Sequence, residues 1–414
     1  MAFSNVRGTV DYYPDEMSIR KQVFNKLSSV ARRYGFQQVD SPVIESQALL
    51  KKKQGEEIIE QLFVLKKKSE EDLALRAEFT PSLARMYIDK QKSIPKPVKW
   101  FCIDRVFRYE RPQAGRLREF FQYNVELYGA RSNYADAEII NLAVDSLKAL
   151  GLTENDFKVK LNNRRLIQGL LLNLVSEEKL DDVMRIIDKR TKIDESQFKE
   201  ELKNAGVAVQ DVKTIIDLLY KDLSELKPGN LMGKEGLEEV QNILECVDKN
   251  YVSVDLSVVR GLAYYTGMVF EIFDKQENLR SICGGGRYDN MIELFGGEVS
   301  PAVGFGMGYS TLYKLLELAG KLPVIEGGPD YFVAAVNDSV KKEAYRLVSE
   351  LRKKHVVEHD LMNRNIAKQM NFANKMGAHK VVIVGPEEIK NNQVKVKDMK
   401  TGEESLAAVD EIVR

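Results

Sequence analysis

The chain has very few of the residues that usually carry acid–base and metal chemistry. Only three of its 414 residues are histidine and only three are cysteine. His355, His359 and His379 all lie near the C-terminal end, so the first 354 residues offer no imidazole for a general base, a Ser-His-Asp triad or a histidine metal site. Any chemistry carried out there must use arginine, glutamate, tyrosine and bound ions.

Other absences limit the class of protein. Cys102, Cys246 and Cys283 are far apart and form neither a CxxC pair nor a disulfide framework, which is typical of a reducing compartment. No apolar run approaches about 18 residues and no signal segment opens the sequence, so we expect a cytoplasmic protein without membrane contact. Lys plus Arg and Asp plus Glu both number 62, so any RNA contact must come from local patches. The length predicts two or three domains.

The segment from Phe107 to Gly129, FRYERPQAGRLREFFQYNVELYG, sorts its side chains by chemistry with a period of two. Alternate residues of a strand point to opposite faces. The first predicted face consists of Phe120, Gln122, Asn124, Glu126 and Tyr128, and the second of Phe121, Tyr123, Val125 and Leu127. The second face fits a hydrophobic core, whereas the first presents a carboxylate and two amides.

A second strand-like run, Trp100 to Tyr109, precedes this segment. The stretch 112–118 between the two runs is basic and turn-forming, which predicts a long hairpin loop. Its arginines suit phosphate, because a planar guanidinium can bind two oxygens at once. A two-stranded ribbon with a solvated polar face is the simpler alternative.

The N-terminal region predicts two helices separated by extended chain. Apolar residues recur at helical spacing after Asp15, and Gly35 follows as a stop. These apolar residues are Ile19, Val23, Leu27, Val30 and Tyr34. Residues 37–44 are extended in pattern, and Pro42 suits a sheet edge or an interface. Thr80 and Pro81 predict the N-cap and first turn of a helix through Tyr87.

The remaining chain predicts a helical insertion and a C-terminal α/β unit. Helical spacing dominates between about Asn162 and Tyr251. Further on, the run 284–286 is three glycines, which permit positive φ and close backbone approach to a ligand, or alternatively form a flexible turn. After a linker at 320–329, strand-like 332–336, 356–361 and 381–384 alternate with helices through Leu351 and near 366–376. The lysines and arginines of this unit form either a binding patch or a solvated helix face.

Together these motifs resemble histidyl-tRNA synthetases, a family of class II aminoacyl-tRNA synthetases. The 107–129 segment is similar to motif 2, and the first helix with its following strand to motif 1. RGLAYYTG (260–267) and GGGRYD (284–289) resemble two signature peptides of the family, and Leu75 to Pro81 resembles a third segment, with Ala77 where the family has proline. The resemblance covers essentially the whole chain.

The resemblance implies an α+β catalytic domain with an antiparallel sheet, an inserted helical domain and a C-terminal α/β anticodon-binding domain. The implied boundaries are 1–161 and 252–322 for the catalytic domain, 162–251 for the insertion and 328–414 for the anticodon-binding domain. The implied activity is that of a ligase, which activates histidine with ATP to histidyl-adenylate and transfers it to tRNA(His). A homodimer is implied by motif 1.

Site residues follow from the same resemblance. Arg108 would grip the α-phosphate, and Arg260 would bridge the phosphate and the histidine carboxylate. Mg²⁺ would arrive with ATP, without a dedicated protein metal site. Glu110 and Phe120 would also contact ATP, and Gln113 and Arg118 would contact tRNA. The implied histidine-binding residues are Glu78, Thr80 and Gln122 at the ammonium, Glu126 and Tyr265 at the ring nitrogens, and Phe79, Tyr264 and Tyr288 nearby.

Two positions depart from the family pattern. Ala263 stands where the family usually has aspartate, and residues 306–311 lack the arginine that ends motif 3 and covers adenine. The second departure favours an alternative, a histidine-binding regulatory subunit of ATP phosphoribosyltransferase that does not charge tRNA. Retention of Glu126 and Arg260, with the C-terminal α/β unit, favours the synthetase. A class II enzyme for another amino acid is a third alternative, against which the histidine-type peptides argue.

Overall fold

The computed structural model describes residues 3–52, 60–66, 71–111, 115–190, 193–260, 264–325 and 327–413. The chain separates into two compact units, Met1–Pro323 and Val324–Arg414. No helix within these described ranges has both the length and the apolar character needed to span a membrane.

The larger unit is built on an antiparallel sheet. Its described strands are β1 (Gln37–Gln38), β2 (Ile44–Ser46), β3 (Leu73–Leu75), β4 (Val98–Phe107), β5 (Glu119–Tyr128), β6 (Phe157–Asn163), β7 (Val252–Val254), β8 (Met268–Asp274), β9 (Cys283–Arg287) and β10 (Ala302–Gly308). Among described residues, eight of them form one sheet in the order β1-β4-β5-β10-β9-β8-β6-β7. Only the outer pairs β1-β4 and β6-β7 are parallel, which confirms the predicted antiparallel catalytic sheet.

The predicted hairpin lies at the centre of this sheet as β4 and β5. Trp100 pairs with Glu126 across the hairpin. On its other side β5 pairs with β10, which sets Gly304 opposite Glu126 and Gly306 opposite Asn124. Both edges of β5 are therefore paired, and the solvated ribbon is excluded because nearly every residue of the strand is buried.

Helices cover the larger unit and pack on its core. They are α1 (Pro14–Arg33), α2 (Gln47–Lys51), α3 (Thr80–Lys90), α4 (Asn133–Ala149), α5 (Arg164–Leu171), α6 (Glu177–Lys189), α7 (Glu195–Asn204), α8 (Val209–Leu218), α9 (Leu231–Leu244), α10 (Met291–Leu294) and α11 (Tyr309–Leu318). A short 3₁₀ turn spans Leu223–Glu225. In α1, Ile19, Val23, Leu27 and Val30 are buried. Gly35 has φ +79°, which confirms the predicted stop because glycine adopts this conformation without strain.

The extended stretch predicted at residues 37–44 is interrupted. Strand β1 pairs with β4, whereas β2 pairs with β3 in a separate two-stranded sheet. Pro42 lies between them and has no N–H to donate to a sheet. The fully buried Arg76 takes up free carbonyls at the bend, with its Nη1 2.5 Å from Ser41 O and 3.4 Å from Pro42 O.

The predicted helical stretch is found as α5 to α9, between β6 and β7. Asn162 and Asn163 belong to β6, and the Asn163 side chain caps α5 by accepting from the Arg165 and Leu166 N–H groups. Apolar faces of these helices join the same buried cluster as the sheet, through residues such as Leu166 and Ile215. The insertion boundaries stay predictions.

The smaller unit contains the predicted α/β pattern. Its described elements are β11 (Tyr331–Ala335), α12 (Lys341–Leu351), β12 (Val357–His359), α13 (Ile366–Lys375), β13 (Lys380–Val384), α14 (Pro386–Lys390), β14 (Gln393–Asp398), β15 (Glu404–Ala408) and α15 (Val409–Val413), with a 3₁₀ turn at Asp338–Val340. Within the described residues they form a sheet in the order β12-β11-β13-β14-β15. The first three strands are parallel, and the antiparallel hairpin β14-β15 was not predicted from sequence.

Candidate active site

Three polar side chains on one face of β5 form a hydrogen-bonded row, here called the polar row. Its members Gln122, Asn124 and Glu126 are 9%, 1% and 1% exposed. Gln122 Nε2 donates to Asn124 Oδ1 at 3.2 Å, and Asn124 Nδ2 donates to Glu126 Oε1 at 2.7 Å. The Thr80 hydroxyl donates to the same Glu126 Oε1 at 2.9 Å. The row is thus connected internally and fixed from α3.

Thr80 has a different role from the predicted helix cap. It is the first residue of α3 rather than its N-cap, which is Phe79 without a side-chain capping bond. The Thr80 hydroxyl donates to Glu126 instead, so a buried carboxylate takes the group that would have capped the helix. The prediction of Thr80 as N-cap was wrong by one residue, while the helix itself is confirmed.

Polar atoms along this face remain without partners. Among the described residues, Glu126 Oε2, Gln122 Oε1 and the Tyr288 hydroxyl are buried and accept or donate no hydrogen bond. Leaving a buried polar group unsatisfied costs about 1–3 kcal/mol. The oxygens of Gln122 and Glu126 are the two ends of the polar row, where a bound ligand could supply the missing donors.

Burial raises the pKa of Glu126 to about 8, although the hydrogen bonds from Asn124 and Thr80 lower it; the negative charge of Glu78 raises it further. The carboxyl is therefore mainly neutral at pH 7 when the pocket holds nothing. Both acceptor positions of Oε1 are in use, so Oε2 is the oxygen left either for a proton in the empty pocket or for a donor of the ligand. A ligand that brings positive charge or N–H donors would restore the carboxylate.

Glycines of β10 make room for the polar row. A Cβ on Gly304 would overlap Glu126 Oε2 and lie 2.9 Å from the Tyr288 hydroxyl oxygen. A Cβ on Gly306 would overlap the amide nitrogen of Gln122. Any larger residue at either position would displace the polar side chains, so alternate glycines on β10 belong to the site. From the sequence alone, residues 306–311 stood out only for their missing arginine.

Tyrosines form the neighbouring wall. The rings of Tyr264 and Tyr265 lie 4.8 Å apart between centroids, and Tyr288 lies 5.7 and 6.3 Å from them. All three are buried. Burial raises the pKa of Tyr264 and of Tyr265, so these two hydroxyls stay protonated. Ala263 falls outside the described residues.

Arg260 reaches this wall from an unusual backbone conformation. Its φ is +56°, in the left-handed region that costs a non-glycine residue about 1–3 kcal/mol. The guanidinium lies 3.7 Å from Glu271 Oε1 and 5.7 Å from the centre of the Tyr265 ring. A Cβ on Gly284 would overlap it. The cation is thus seated where only glycine leaves space.

The glycine run 284–286 is therefore strand, not turn. It lies within β9, and none of its three residues has positive φ. Protein side chains approach these glycines closely, since Gly284 borders Arg260 and a Cβ on Gly286 would come 2.8 Å from the Tyr265 ring, while close approach to a ligand stays a prediction. The positive φ that glycine permits is not used here, because strand pairing on both sides fixes the three residues in extended form.

The predicted phosphate arginine Arg108 follows β4. Its Nε donates to Ala77 O at 2.8 Å, and its guanidinium lies 5.6 Å from the Phe120 ring centre. Glu110 is buried and forms an ion pair with Arg116. Arg118 Nε donates to Glu110 O at 3.1 Å. Of the predicted ATP-binding residues, Arg108, Glu110 and Phe120 thus lie at the base of the hairpin loop, whereas Arg260 lies beside Glu271 and Tyr265.

Some of the predicted site residues are not exposed to a ligand-binding space or are not described. The Phe79 ring is fully buried in a cluster with Leu83, Cys102 and Val106, so it supports the site through packing. Gln113 falls outside the described residues. Across the described part of the chain, no three His, Cys, Asp or Glu side chains are grouped to hold a metal ion. That Mg²⁺ arrives with ATP stays a prediction.

A buried ion pair fixes the end of β9 and was missed from sequence. Arg287 Nε lies 2.8 Å from Asp136 Oδ1 in the first turn of α4, and its Nη1 lies 3.0 Å from Asp289 Oδ1 and from Ala130 O. Burial of a charge is tolerated only with such partners. Arg287 thereby holds β9, and with it Gly284 and Gly286, against the helix.

Arg108 and Arg260 both belong to the unit whose antiparallel sheet carries the polar row, which fits the class II aminoacyl-tRNA synthetase that the sequence motifs resemble. Comparison with known proteins specifies the family. The model of the family described as histidyl-tRNA synthetase matches residues 8–312, and the model of the anticodon binding domain matches 330–414.

Relatives match over nearly the full length. A histidine-tRNA ligase of Haloarcula marismortui is 39% identical over 413 residues, covering 97% of this chain and 95% of the relative. One of Pyrococcus furiosus is 36% identical, covering 99% and 97%. The crystal structure of histidyl-tRNA synthetase from Nostoc sp. PCC 7120 superposes with a TM-score of 0.83 at 26% identity, covering 100% and 99%. The chain belongs to the histidyl-tRNA synthetase family, as predicted.

One further solved structure shares the fold. It is described as an ATP phosphoribosyltransferase regulatory subunit/histidyl-tRNA synthetase from Bacillus halodurans C and superposes with a TM-score of 0.76 at 23% identity, covering 93% of this chain and 99% of that one. Since the anticodon binding domain matches this chain and the relatives of higher identity are ligases, the regulatory alternative is not favoured.

Proposed function

We propose that this protein is a histidine-tRNA ligase that activates histidine with ATP and transfers it to tRNA(His). The observation that carries the proposal is the polar row, buried in a protein of this family with unpartnered acceptors at both ends. A ligand with an ammonium at one end and a ring N–H at the other would supply both missing donors. Histidine has both groups.

Recognition would divide between the two ends of the row. Gln122 Oε1, with Glu78 and Thr80, would hold the ammonium. Glu126 Oε2 and Tyr265 would contact the ring nitrogens, enclosed by Tyr264, Tyr288 and the buried Phe79 cluster. An amino acid without ring N–H groups would leave Glu126 unsatisfied at about 1–3 kcal/mol or more, so discrimination needs no separate editing site.

Activation needs alignment and positive charge rather than a protein base. The histidine carboxylate attacks the α-phosphorus of ATP, the bond to the β-phosphate oxygen breaks, and pyrophosphate leaves. Arg108 would hold the α-phosphate, and Arg260 would span the phosphate and the carboxylate. In the second step a terminal ribose hydroxyl of tRNA attacks the acyl carbon and AMP leaves. The first step requires none of the imidazoles that the first 354 residues lack, because the nucleophile is the substrate's own carboxylate.

ATP would lie along the hairpin base, with adenine on Phe120 and further contact from Glu110. Mg²⁺ would enter as part of the ATP substrate, neutralising the phosphates. Histidine-dependent ATP–pyrophosphate exchange with purified protein tests this function. The expected result is exchange with histidine and with no other amino acid. Histidine binding without exchange would contradict the ligase and favour a regulatory subunit.

The smaller unit would bind the tRNA anticodon, and Gln113 and Arg118 would contact the acceptor end. We expect a cytoplasmic homodimer, paired two-fold through the region of motif 1. A chain ending at Pro323, the last residue of the larger unit, should keep pyrophosphate exchange and lose most tRNA charging. Equal charging by truncated and full-length protein would remove the RNA role, and a monomeric sedimentation mass would remove the dimer.

A further inference from the structure

The hydrogen bonds along the polar row all run in one direction. Gln122 donates to Asn124, and Asn124 donates to Glu126. Each amide is therefore oriented by its neighbour, and the free acceptors are left at the two ends as Gln122 Oε1 and Glu126 Oε2. Asn124 is the link that connects the ends, yet the resemblance to known synthetases assigns it no role.

The two oxygens of Glu126 are made unequal by this arrangement. A carboxylate oxygen accepts about two hydrogen bonds. Oε1 has both, from Asn124 Nδ2 at 2.7 Å and from the Thr80 hydroxyl at 2.9 Å. Oε2 has no partner among the described residues. It lies in the space beside Gly304 that a Cβ would fill, and the unpartnered Tyr288 hydroxyl lies beside the same space. An incoming donor can be accepted only by Oε2.

We propose that Asn124 is a positioning residue for ring recognition: with Thr80 it occupies Oε1 of Glu126 and so reserves Oε2 for a ring N–H of the substrate. This inference rests on the proposed function, because it takes histidine as the ligand of the pocket. Asn124 is 1% exposed and acts through Glu126 rather than by touching the substrate.

Without the Asn124 amide, Glu126 would have one donor fewer on Oε1 and could present either oxygen to the ring. The loss would also raise the pKa of Glu126 above its value of about 8, because a donor to the charged form lowers a carboxyl pKa. The other groups whose charges interact with Glu126 are Glu78, Cys102, Tyr128, Tyr264 and Tyr265. None of them is changed by a substitution at Asn124.

The test is Asn124→Leu, which keeps the approximate shape and removes the amide. We expect KM for histidine in pyrophosphate exchange to rise about ten- to hundredfold, as for loss of a hydrogen bond to a charged group. KM for ATP should change less than about twofold, since Arg108 and Phe120 are untouched. The pH above which histidine is bound well should move upward. Asn124→Ser, which retains a donor, should recover part of the loss.

A second readout separates positioning from folding. An analogue with a thiazole in place of imidazole has no ring N–H, so the unmodified protein should reject it strongly. Asn124→Leu should lose much of this discrimination, because Glu126 is no longer fixed. Tyr123→Phe is the matched control, since Tyr123 neighbours Asn124 on β5 but faces the core. Thr80→Val removes the other donor to Oε1 and should reproduce the loss of discrimination.

Three results would overturn the inference. One is an unchanged KM for histidine in both Asn124→Leu and Thr80→Val. Another is a loss of turnover that is equal for histidine and the analogue, with the pH profile unmoved, as a merely structural role requires. If Asn124→Leu does not fold, the other two variants decide. Discrimination that is retained in Asn124→Ser and lost in Thr80→Val would support the inference. Discrimination that is lost in Asn124→Ser and retained in Thr80→Val would refute the inference. Failure of the unmodified protein to bind histidine in calorimetry would instead remove the proposed function.

Discussion

The two faces of β5 are buried to the same degree and differ in chemistry. Val125 and Leu127 are 0% and 2% exposed and lie in the main hydrophobic cluster. Asn124 and Glu126, which alternate with them, are each 1% exposed. Burial therefore does not separate the site from the core in this protein. Chemistry does, because the first face carries two amides and a carboxylate that are joined by hydrogen bonds and end in the unpartnered oxygens of Gln122 and Glu126, whereas the Val125 and Leu127 side chains have no polar atoms.

This comparison predicts that changes on the pocket side affect catalysis and changes on the core side affect stability. The largest catalytic effect is expected at Arg260, whose charge we propose to act on the reacting phosphate. Arg260→Ala should reduce turnover in adenylate formation about 10²–10³-fold, or about 3–4 kcal/mol, while folding survives. Single-turnover measurement of activation checks this, with Arg85→Ala, a partly exposed arginine on α3, as the control.

Gly284→Ala tests the same charge without removing it. The new methyl group would overlap the guanidinium, so Arg260 must move. We expect a loss of turnover in the same direction as Arg260→Ala and smaller, because a flexible side chain can shift. Near-normal activation in both variants would take Arg260 out of the mechanism. It would also contradict the expectation that changes on the pocket side affect catalysis.

The pocket face should also be recognisable from its pH dependence. The pKa of Glu126 is raised to about 8 in the folded protein, so between pH 5 and 8 the folded state binds more protons than the unfolded state at this group. Stability from Glu126 is present at low pH and is lost as pH rises through 8. Glu126→Gln cannot titrate, so its stability relative to the unmodified protein should increase by about 3 kcal/mol from pH 5 to pH 8.

Urea unfolding across this pH range measures the difference, with Glu245→Gln on the exposed surface as the control. The same Glu126→Gln variant should activate histidine much less well while ATP binding is retained, because only the ring contact is altered. A flat stability difference would mean that Glu126 is ionised in the empty pocket. Unchanged histidine kinetics would remove Glu126 from the site.

The core face should respond to Val125→Ala in the opposite manner. The change removes two buried carbon groups worth about 0.8 kcal/mol each and leaves a cavity, so we expect a loss of about 2–3 kcal/mol in the free energy of unfolding. Turnover per folded molecule should stay within about twofold, since the Val125 side chain lies in the hydrophobic core and not with the polar row. Urea unfolding and exchange assays on the same preparation check both. A large catalytic loss without destabilisation would break the comparison.

Much of this division could be predicted from sequence, because strand periodicity is local. The alternation from Phe120 to Tyr128 predicts both faces, and the hairpin is confirmed with the expected antiparallel pairing. The glycine run 284–286 was left open between close approach to a ligand and a flexible turn, because glycine itself gives no signal of the strand pairing with β8 and β10 that fixes its conformation. The same limit hid Gly304 and Gly306, whose role depends on lying opposite Glu126 and Asn124.

Side-chain partners were beyond sequence for the same reason. Asn124 was placed on the correct face, but its donation to Glu126 depends on rotamers and on Thr80, 46 residues before Glu126. Arg287 pairs with Asp136 at a separation of 151 residues, and no local pattern indicates such a pair. A usable signal did exist in β10, where glycine occupies alternate positions 304, 306 and 308 and so marks one face of a strand as needing space.

The smallest effect is expected where the pocket face ends, at the adenine position. Thr311 stands where the family has the motif 3 arginine; it is 9% exposed, and a Cβ on Gly115 of the hairpin loop would lie 3.7 Å from its hydroxyl. Phe120 would then carry most of the adenine contact, so Phe120→Ala should weaken ATP markedly. A cation over an aromatic ring contributes about 0.5–2 kcal/mol, so Thr311→Arg should tighten ATP from about twofold to thirtyfold without changing histidine affinity. KM for ATP at saturating histidine measures both effects.

The control is Thr311→Gln, which supplies similar length without charge. Equal gains in ATP affinity from arginine and glutamine would mean that packing, not charge, is missing at this end of the face. Weaker ATP binding in Thr311→Arg would mean that position 311 does not reach adenine at all.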